Sequence, residues 1–261
     1  MTMPFDLSWR FWRVWQRNLT VYRENWHINF VPPLLEPLLY LLAFGVGFST
    51  LVGPIHYQGR TVSYVRFIAP ALIAINIMNN AFFETTFASF VRMYFQKTFD
   101  AMMATPLTLE EIITGEIIWG ATKAVIGTAI MLAMVSLFGL ITYPSGLLLL
   151  PVAFFAGFAF GTIGMFFTGI VKNIDLFNLP MFLFVTPMFL FSGTFFPLEN
   201  LPGWAQTLAF CLPLTHLANI CRALGWGVYH PSLFWGCAYF VLFILIFYPL
   251  AIRKMRRRLL K

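Results

Sequence analysis

The sequence predicts an all-α membrane protein with six transmembrane helices, an N-terminal interfacial helix, a short cytoplasmic helix between the second and third spans, and an extracytoplasmic re-entrant helical hairpin. Three observations carry that prediction. Hydrophobic residues make up 59% of the 261 residues and charged residues 10%, against roughly 25% charged in soluble domains, so water is not the solvent for most of this surface. Six stretches approach the roughly 20 apolar residues that a helical span requires: Val31 to Val52, Phe67 to Val91, Ala124 to Ile141, Leu147 to Val171, Leu176 to Phe196 and Leu233 to Ile252. The basic residues are one-sided in this arrangement. Arg10 to Arg23, Arg92, Lys97, Lys123, Lys172 and the tail from Arg253 to Lys261 share the side of both termini, which the positive-inside rule makes cytoplasmic, and only Arg60, Arg66 and Arg222 face the other way.

Residues 1–261 read as a single membrane domain. No cleavable signal peptide is expected, because the N-terminus is polar and aromatic and the first apolar run already suffices to span. The net charge of +7 fits topology and anionic headgroups, and no nucleic-acid partner is expected.

Within residues 1–30, Phe11, Trp12, Trp15, Leu19, Tyr22 and Trp26 fall on one helical face with Arg10, Arg13 and Arg17 roughly opposite. That pattern predicts a helix lying in the membrane surface. The first span opens with Pro32, Pro33 and Pro37, tolerable in opening turns, and carries Glu36, read as a carboxylate near the interface. On the second span, Asn76, Asn80 and Glu84 stand at i, i+4 and i+8 and form one polar stripe. A charge at mid-bilayer costs about 2.5 to 3.5 kcal/mol on insertion scales, so the stripe must face other helices or a polar cavity. It either bonds between helices or lines a transport path, and Lys123 is a candidate partner for Glu84 or Glu116.

The loop that follows is a rigid knob. Phe95, Phe99, Met102 and Met103 recur at helical spacing while Gln96, Lys97, Thr98 and Asp100 fill the other positions, so residues 94–104 read as a short amphipathic helix. Pro106 disfavours helix at Thr105, and Thr108 with Glu111 forms a capping box for the third span. A soluble motor could push on such a knob; it could equally be an interfacial anchor.

Gly157-x-x-x-Gly161 on the fourth span permits close helix approach. After the fifth span, residues 197–225 read as two short helices broken at Pro213. Leu201, Trp204, Ala205, Leu208 and Leu212 form one apolar stripe, and Leu214, Leu217, Cys221 and Leu224 another. Such a hairpin can dip into the outer leaflet and act as a gate, with Pro197, Pro202, Pro213 and His216 shaping it. The tail RKMRRRLLK reads as a stop signal at the cytoplasmic face.

Motif chemistry is sparse. GPIHYQGR, residues 53–60, lacks the spacing and the lysine of a phosphate-binding loop. His27, His56, His216 and His230 are scattered, and Cys211, Cys221 and Cys237 have no metal-ligand spacing. Neither catalytic residues, nor a metal site, nor a bound cofactor is expected on this chain.

Several segments carry a resemblance. They are EPLLYLLAFGVG (36–47), FETTFASFVRM (83–93), AMMATPLTLEEIITGE (101–116), WGATKA (119–124), TPMFLFSGTFFPLENLP (186–202) and LPLTH (212–216). Together they make the chain similar, over nearly its whole length, to the permease subunits of type-2 ABC exporters, especially nodulation-factor exporter permeases of the NodJ type. The resemblance implies a permease that dimerises, most simply as a homodimer, in the bacterial inner membrane and pairs with two copies of an ABC ATP-binding subunit, which would hold ATP and Mg. It implies that the knob, about Gln96 through Met103, is the coupling helix, and that residues 197–225 are re-entrant. The implied cargo is an amphiphilic, lipid-linked or lipid-like glycan. A multidrug or antibiotic exporter is the alternative within the class, and a stand-alone ion-coupled carrier or intramembrane enzyme is the rival outside it.

Overall fold

The computed structural model describes residues 7–48, 53–57, 59–228 and 232–260. Helix α1 (Phe11–Glu24) stops at Asn25, and α2 (Trp26–Leu42) continues as a π-helical turn over Ala43–Phe48. The end of the first expected span, at 49–52, and the side chains of Pro32, Pro33, Glu36 and Pro37 lie outside the described residues. A two-stranded antiparallel hairpin, β1 (Ile55–Tyr57) and β2 (Arg60–Val62), follows; the sequence reading had no strand there. Gly59 takes the positive-φ corner between its strands, at φ 72°.

Helix α3 (Tyr64–Phe83) runs on through two π-helical turns, Glu84–Ala88 and Val91–Phe95, as one rod from Tyr64 to Phe95. A short α4 (Thr98–Met103) leads to α5 (Leu109–Leu137). The capping box at Thr108 and Glu111 is formed as expected, so α5 begins fifteen residues before the apolar run that opens at Ala124. Glu110, Glu111 and Glu116 therefore belong to the third long helix. Next come α6 (Leu149–Ile170), a broken helical segment α7 (Ile174–Phe191), α8 (Gly203–Phe210), α9 (Pro213–Trp226) and α10 (Ser232–Leu259). Five helices among the described residues are long and apolar enough to cross a membrane, and the α8–α9 pair, bent by 83°, makes six if it is one broken span.

Helix α6 is the centre of the bundle and packs on α3, α5 and α10. Its glycines permit this. A Cβ at Gly157 would lie 2.9 Å from the Ala124 Cβ of α5, and one at Gly164 would overlap Thr85 Oγ1 and come within 3.0 Å of the Phe82 carbonyl oxygen of α3. Gly164→Leu is expected to force α3 and α6 apart and destabilise the protein by about 2 kcal/mol, read as a lower melting temperature of the purified protein in detergent. By contrast, α7 and α10 turn Phe182, Leu183, Phe234, Trp235 and Leu245 outward, where apolar surroundings must cover them.

Several expectations are corrected here. The basic tail is not merely a stop signal. It continues α10, buries Met255, sets Arg256 3.5 Å from Glu110, and Arg258 donates to the Thr168 and Val171 carbonyls that end α6. In the outer pair, Leu214, Leu217, Cys221 and Leu224 are buried as expected; of the first stripe Ala205 is buried, but Trp204 and Leu208 are exposed and Ala209 faces inward in their place. The smaller residues sit where α8 meets its neighbours; the bulky ones project away. The three cysteines are free thiols, Cys221 buried and Cys211 and Cys237 exposed.

Candidate functional site

The polar residues that sequence scattered along three elements meet at one place, where α1, the end of the α3 rod and the first half of α5 converge. Arg92, counted in sequence as a topology signal, is the keystone. Its guanidinium donates from Nη1 to Glu84 Oε1 at 2.8 Å, and from Nε at 2.9 Å and Nη2 at 2.5 Å to Glu116 Oε2. Lys123 Nζ reaches Glu84 Oε2 at 2.9 Å, and Trp119 Nε1 donates to Glu84 Oε1 at 3.0 Å. Ser89 Oγ and Asn18 Nδ2 complete Glu116, at 2.6 and 2.9 Å. Both carboxylates are buried, Glu116 completely. Two buried carboxylates are thus held by two cations and a ring of neutral donors, the condition under which buried charge is tolerated.

Local geometry explains the convergence. Glu84 and Arg92 stand at i and i+8, the same spacing as Asn76 and Glu84, so they share one side of the rod, the side that meets α5. The rod passes through two π-helical turns, Glu84–Ala88 and Val91–Phe95, along this stretch. Asn80 bonds Asn76 through its carbonyl and side-chain oxygens, at 2.9 and 3.1 Å, and this pair lies over Gly127 of α5. Asn76, Asn80 and Glu84 therefore all turn toward the third long helix.

Helix α1 docks rather than floats. Gly115 of α5 has no side chain, so Val14 settles onto it; a Cβ there would lie 2.6 Å from Val14 Cβ. Trp15 Nε1 donates to Thr122 Oγ1 at 2.9 Å, Arg10 to the Pro106 carbonyl at 2.8 Å, and Ser8 bonds Glu111 through its amide and hydroxyl. Trp12 and Trp26 remain exposed. The aromatic stripe was legible in sequence, whereas the buried strip of Val14 and Asn18 was not, because one valine and one asparagine carry no periodic signal.

Between α1 and the two rods lies a cavity of about 460 Å³, walled by Arg17, Tyr22, Glu84, Phe87, Arg92, Trp119 and Lys123 among others. Burial lowers the pKa of Arg17 from its ordinary value, against the pull of Glu116. Burial also raises that of the Tyr22 phenol, and the Glu84 charge acts in the same sense, so the phenol is neutral at physiological pH.

At the end of the α3 rod the chain turns a corner. Lys97 sits in the left-handed region at φ 55°, and α4 leaves at an angle set by that residue. Gln96 and Lys97 are therefore the corner, not part of a helix over 94–104, and Phe95 ends the rod with its ring exposed. The helix keeps Thr98, Phe99, Asp100, Met102 and Met103. Phe99 is buried in a cluster with Phe90, Met93, Leu109, Ile112 and Ile113, with Met102 and Met103 half-buried beside it. Lys97 and Asp100 are exposed and 3.9 Å apart, a surface pair that adds little stability. One face of α4 is pinned and the other is open.

The outer pair carries the remaining residues named from sequence. Pro197 is buried ahead of a short 3₁₀ turn, Pro202 is the N-cap of α8, and Pro213 is the first residue of α9. His216 Nε2 donates to the Phe210 carbonyl at 2.9 Å and its ring stacks on Tyr239 at 4.3 Å. Arg222, unremarked as a site residue in sequence, is buried, donates to the Gly193 carbonyl at 2.6 Å and lies 4.0 Å from the Phe67 ring. It fastens α9 to the loop after α7 and to the start of α3.

Comparison with known proteins adds the family context. The family model described as ABC-2 type transporter matches residues 10–226. Nodulation protein J of Sinorhizobium fredii is 36% identical over 215 residues, covering 82% of this chain and 80% of that protein. Nodulation protein J of Rhizobium leguminosarum bv. viciae is 35% identical over 262 residues, 98% of each chain. The inner membrane transport permease YadH of Escherichia coli is 24% identical over 236 residues, 90% of each.

Proposed function

Because this chain belongs to the ABC-2 type transporter family, we propose that it is the permease half of an ATP-driven exporter whose motor presses on α4. The family carries ABC permeases that work with an ATP-binding partner, so the chain itself is a transport component and no enzyme. Our reading goes further in four respects. Two ATP-binding subunits, each holding ATP and Mg, would engage two copies of this permease. The permeases would form a homodimer in the bacterial inner membrane with both termini in the cytoplasm. The α8–α9 pair would be re-entrant and close the outer exit. The cargo would be an amphiphilic, lipid-linked or lipid-like glycan.

The observation that carries the reading is the two-faced geometry of α4. Its Phe99 face is locked into the bundle and its Lys97–Asp100 face is free, so force on the open face reaches the bundle through packed side chains. From there the α3 rod leads to the charged cluster around Arg92, and alternating access follows if the ATPase biases two arrangements of these helices. For the hairpin, support comes from the sharp bend at Pro213 and the buried face of α9. Exposed Lys97 and Asp100 make the test clean, since among the described residues their side chains pair only with each other and the Tyr94 ring and add little stability. The double variant Lys97→Ala, Asp100→Ala is expected to insert and melt like the wild type. Its transport in vesicles should fall about tenfold while hydrolysis loses its dependence on cargo, a loss ordinary for two central contact residues. Unchanged ATPase binding together with unchanged transport would refute the coupling role.

A further inference from the structure

The cavity between α1 and the two rods has more positive charge than the fold requires. Arg92 is spent on Glu84 and Glu116, and Lys123 gives Glu84 one of its three N–H donors. Arg17 makes a single side-chain bond, to Asn18 Oδ1 at 2.9 Å, which leaves most of its fork undirected. Three cations against two carboxylates leave one positive charge in surplus. Glu84, the carboxylate on the cavity wall, already accepts from Arg92, Trp119 and Lys123, so its repulsion toward an incoming anion is largely neutralised.

Phe87, Ala88 and Val91 of the α3 rod, interleaved with Glu84 and Arg92, add apolar surface to the cavity. The ring of Tyr22 stands edge-on to Trp119 at 5.6 Å and beneath Lys123 at 5.8 Å. Its volume of about 460 Å³ lies within the range of small-molecule sites. Exposed Trp12, Val21 and Trp26 on α1 and its continuation present apolar surface nearby, as a segment at a membrane interface does. Cations and apolar side chains side by side in one cavity, next to a helix with exposed tryptophans, suit a ligand that carries an anion beside an apolar part.

We infer that this cavity binds the anionic, phosphate-bearing headgroup of a membrane amphiphile, with Arg17 and Lys123 taking the phosphate oxygens and Phe87, Ala88 and Val91 taking the start of its apolar part. Arg17 supplies the planar fork suited to phosphate and Lys123 the point charge. The site lies beside the charged cluster, so occupancy adds an anion where the fold has a cation to spare. Binding needs neither ATPase nor transport, and it is tested without them, so its failure leaves the coupling role of α4 standing and the reverse also holds.

The test is native mass spectrometry of the full purified chain in detergent, titrated with phosphatidylglycerol or phosphatidylcholine. One phosphatidylglycerol per chain is expected to be retained at about tenfold lower concentration than phosphatidylcholine. Arg17→Gln should weaken that retention about fivefold, and Arg13→Gln, an exposed position on the same helix, should leave it unchanged. Val21→Trp, which fills the cavity from its mouth, should weaken it as well and guards against a folding defect in the first variant. Equal retention of both lipids, or equal loss in Arg17→Gln and Arg13→Gln, would overturn the site. Displacement by inorganic phosphate at the lipid's own concentration would overturn the amphiphile and leave a free-anion site.

Discussion

Replacement of Arg92 by leucine is expected to lower the melting temperature of the protein in detergent by on the order of 10 °C, the effect of losing about 3 to 5 kcal/mol in a chain of this size. The cause is the orphaned carboxylates rather than the lost arginine. Glu116 would keep Asn18 and Ser89 but no cation, and Glu84 would keep Lys123 and Trp119. Because the charges act as one unit, adding Glu116→Leu to Arg92→Leu should recover a substantial part of the loss. If the single and double variants melted alike, well below the wild type, packing and not charge balance would be what Arg92 provides.

Phe99→Ala is expected to abolish measurable transport while sparing most of the fold. The ring is fully buried, and removing a buried phenylalanine costs about 3 to 5 kcal/mol. Here the penalty falls on a six-residue helix, which has little else to hold it. Helix α4 should detach, and on the coupling role proposed for it an ATP-binding partner would then hydrolyse ATP without moving the bundle. Hydrogen exchange would show lost protection over residues 98–103 and near-native protection in α5 and α6. Transport near the wild-type rate with α4 unprotected would show that force enters elsewhere.

Local signals were the legible ones. Thr108 and Glu111 are three residues apart and define a helix start by themselves, and the structure forms that capping box. The Asn76, Asn80, Glu84 spacing likewise showed one face of one helix. Arg92 was read only as a topology signal because its meaning depends on Glu116, 24 residues away on another helix. Lys97 was placed inside a helix because nothing in a lysine signals a left-handed backbone. Trp204 and Leu208 were assigned to the buried face of α8 on hydrophobicity alone, which cannot distinguish a protein interior from a lipid one. Asn18 lacked any pattern, since its role comes from a helix about a hundred residues downstream, and Arg17 was read only as part of the basic face of α1.

That separation bears on how the protein is made. Asn18 meets Glu116 across 98 residues of chain, and Trp15 meets Thr122 across 107. During synthesis at about 5 to 20 residues per second, α1 waits on the order of ten seconds for its dock to emerge. Trp12 and Trp26, which stay exposed in the finished fold, suit α1 to a membrane surface during that interval. Formation of α5 is therefore the step that completes the docking of α1.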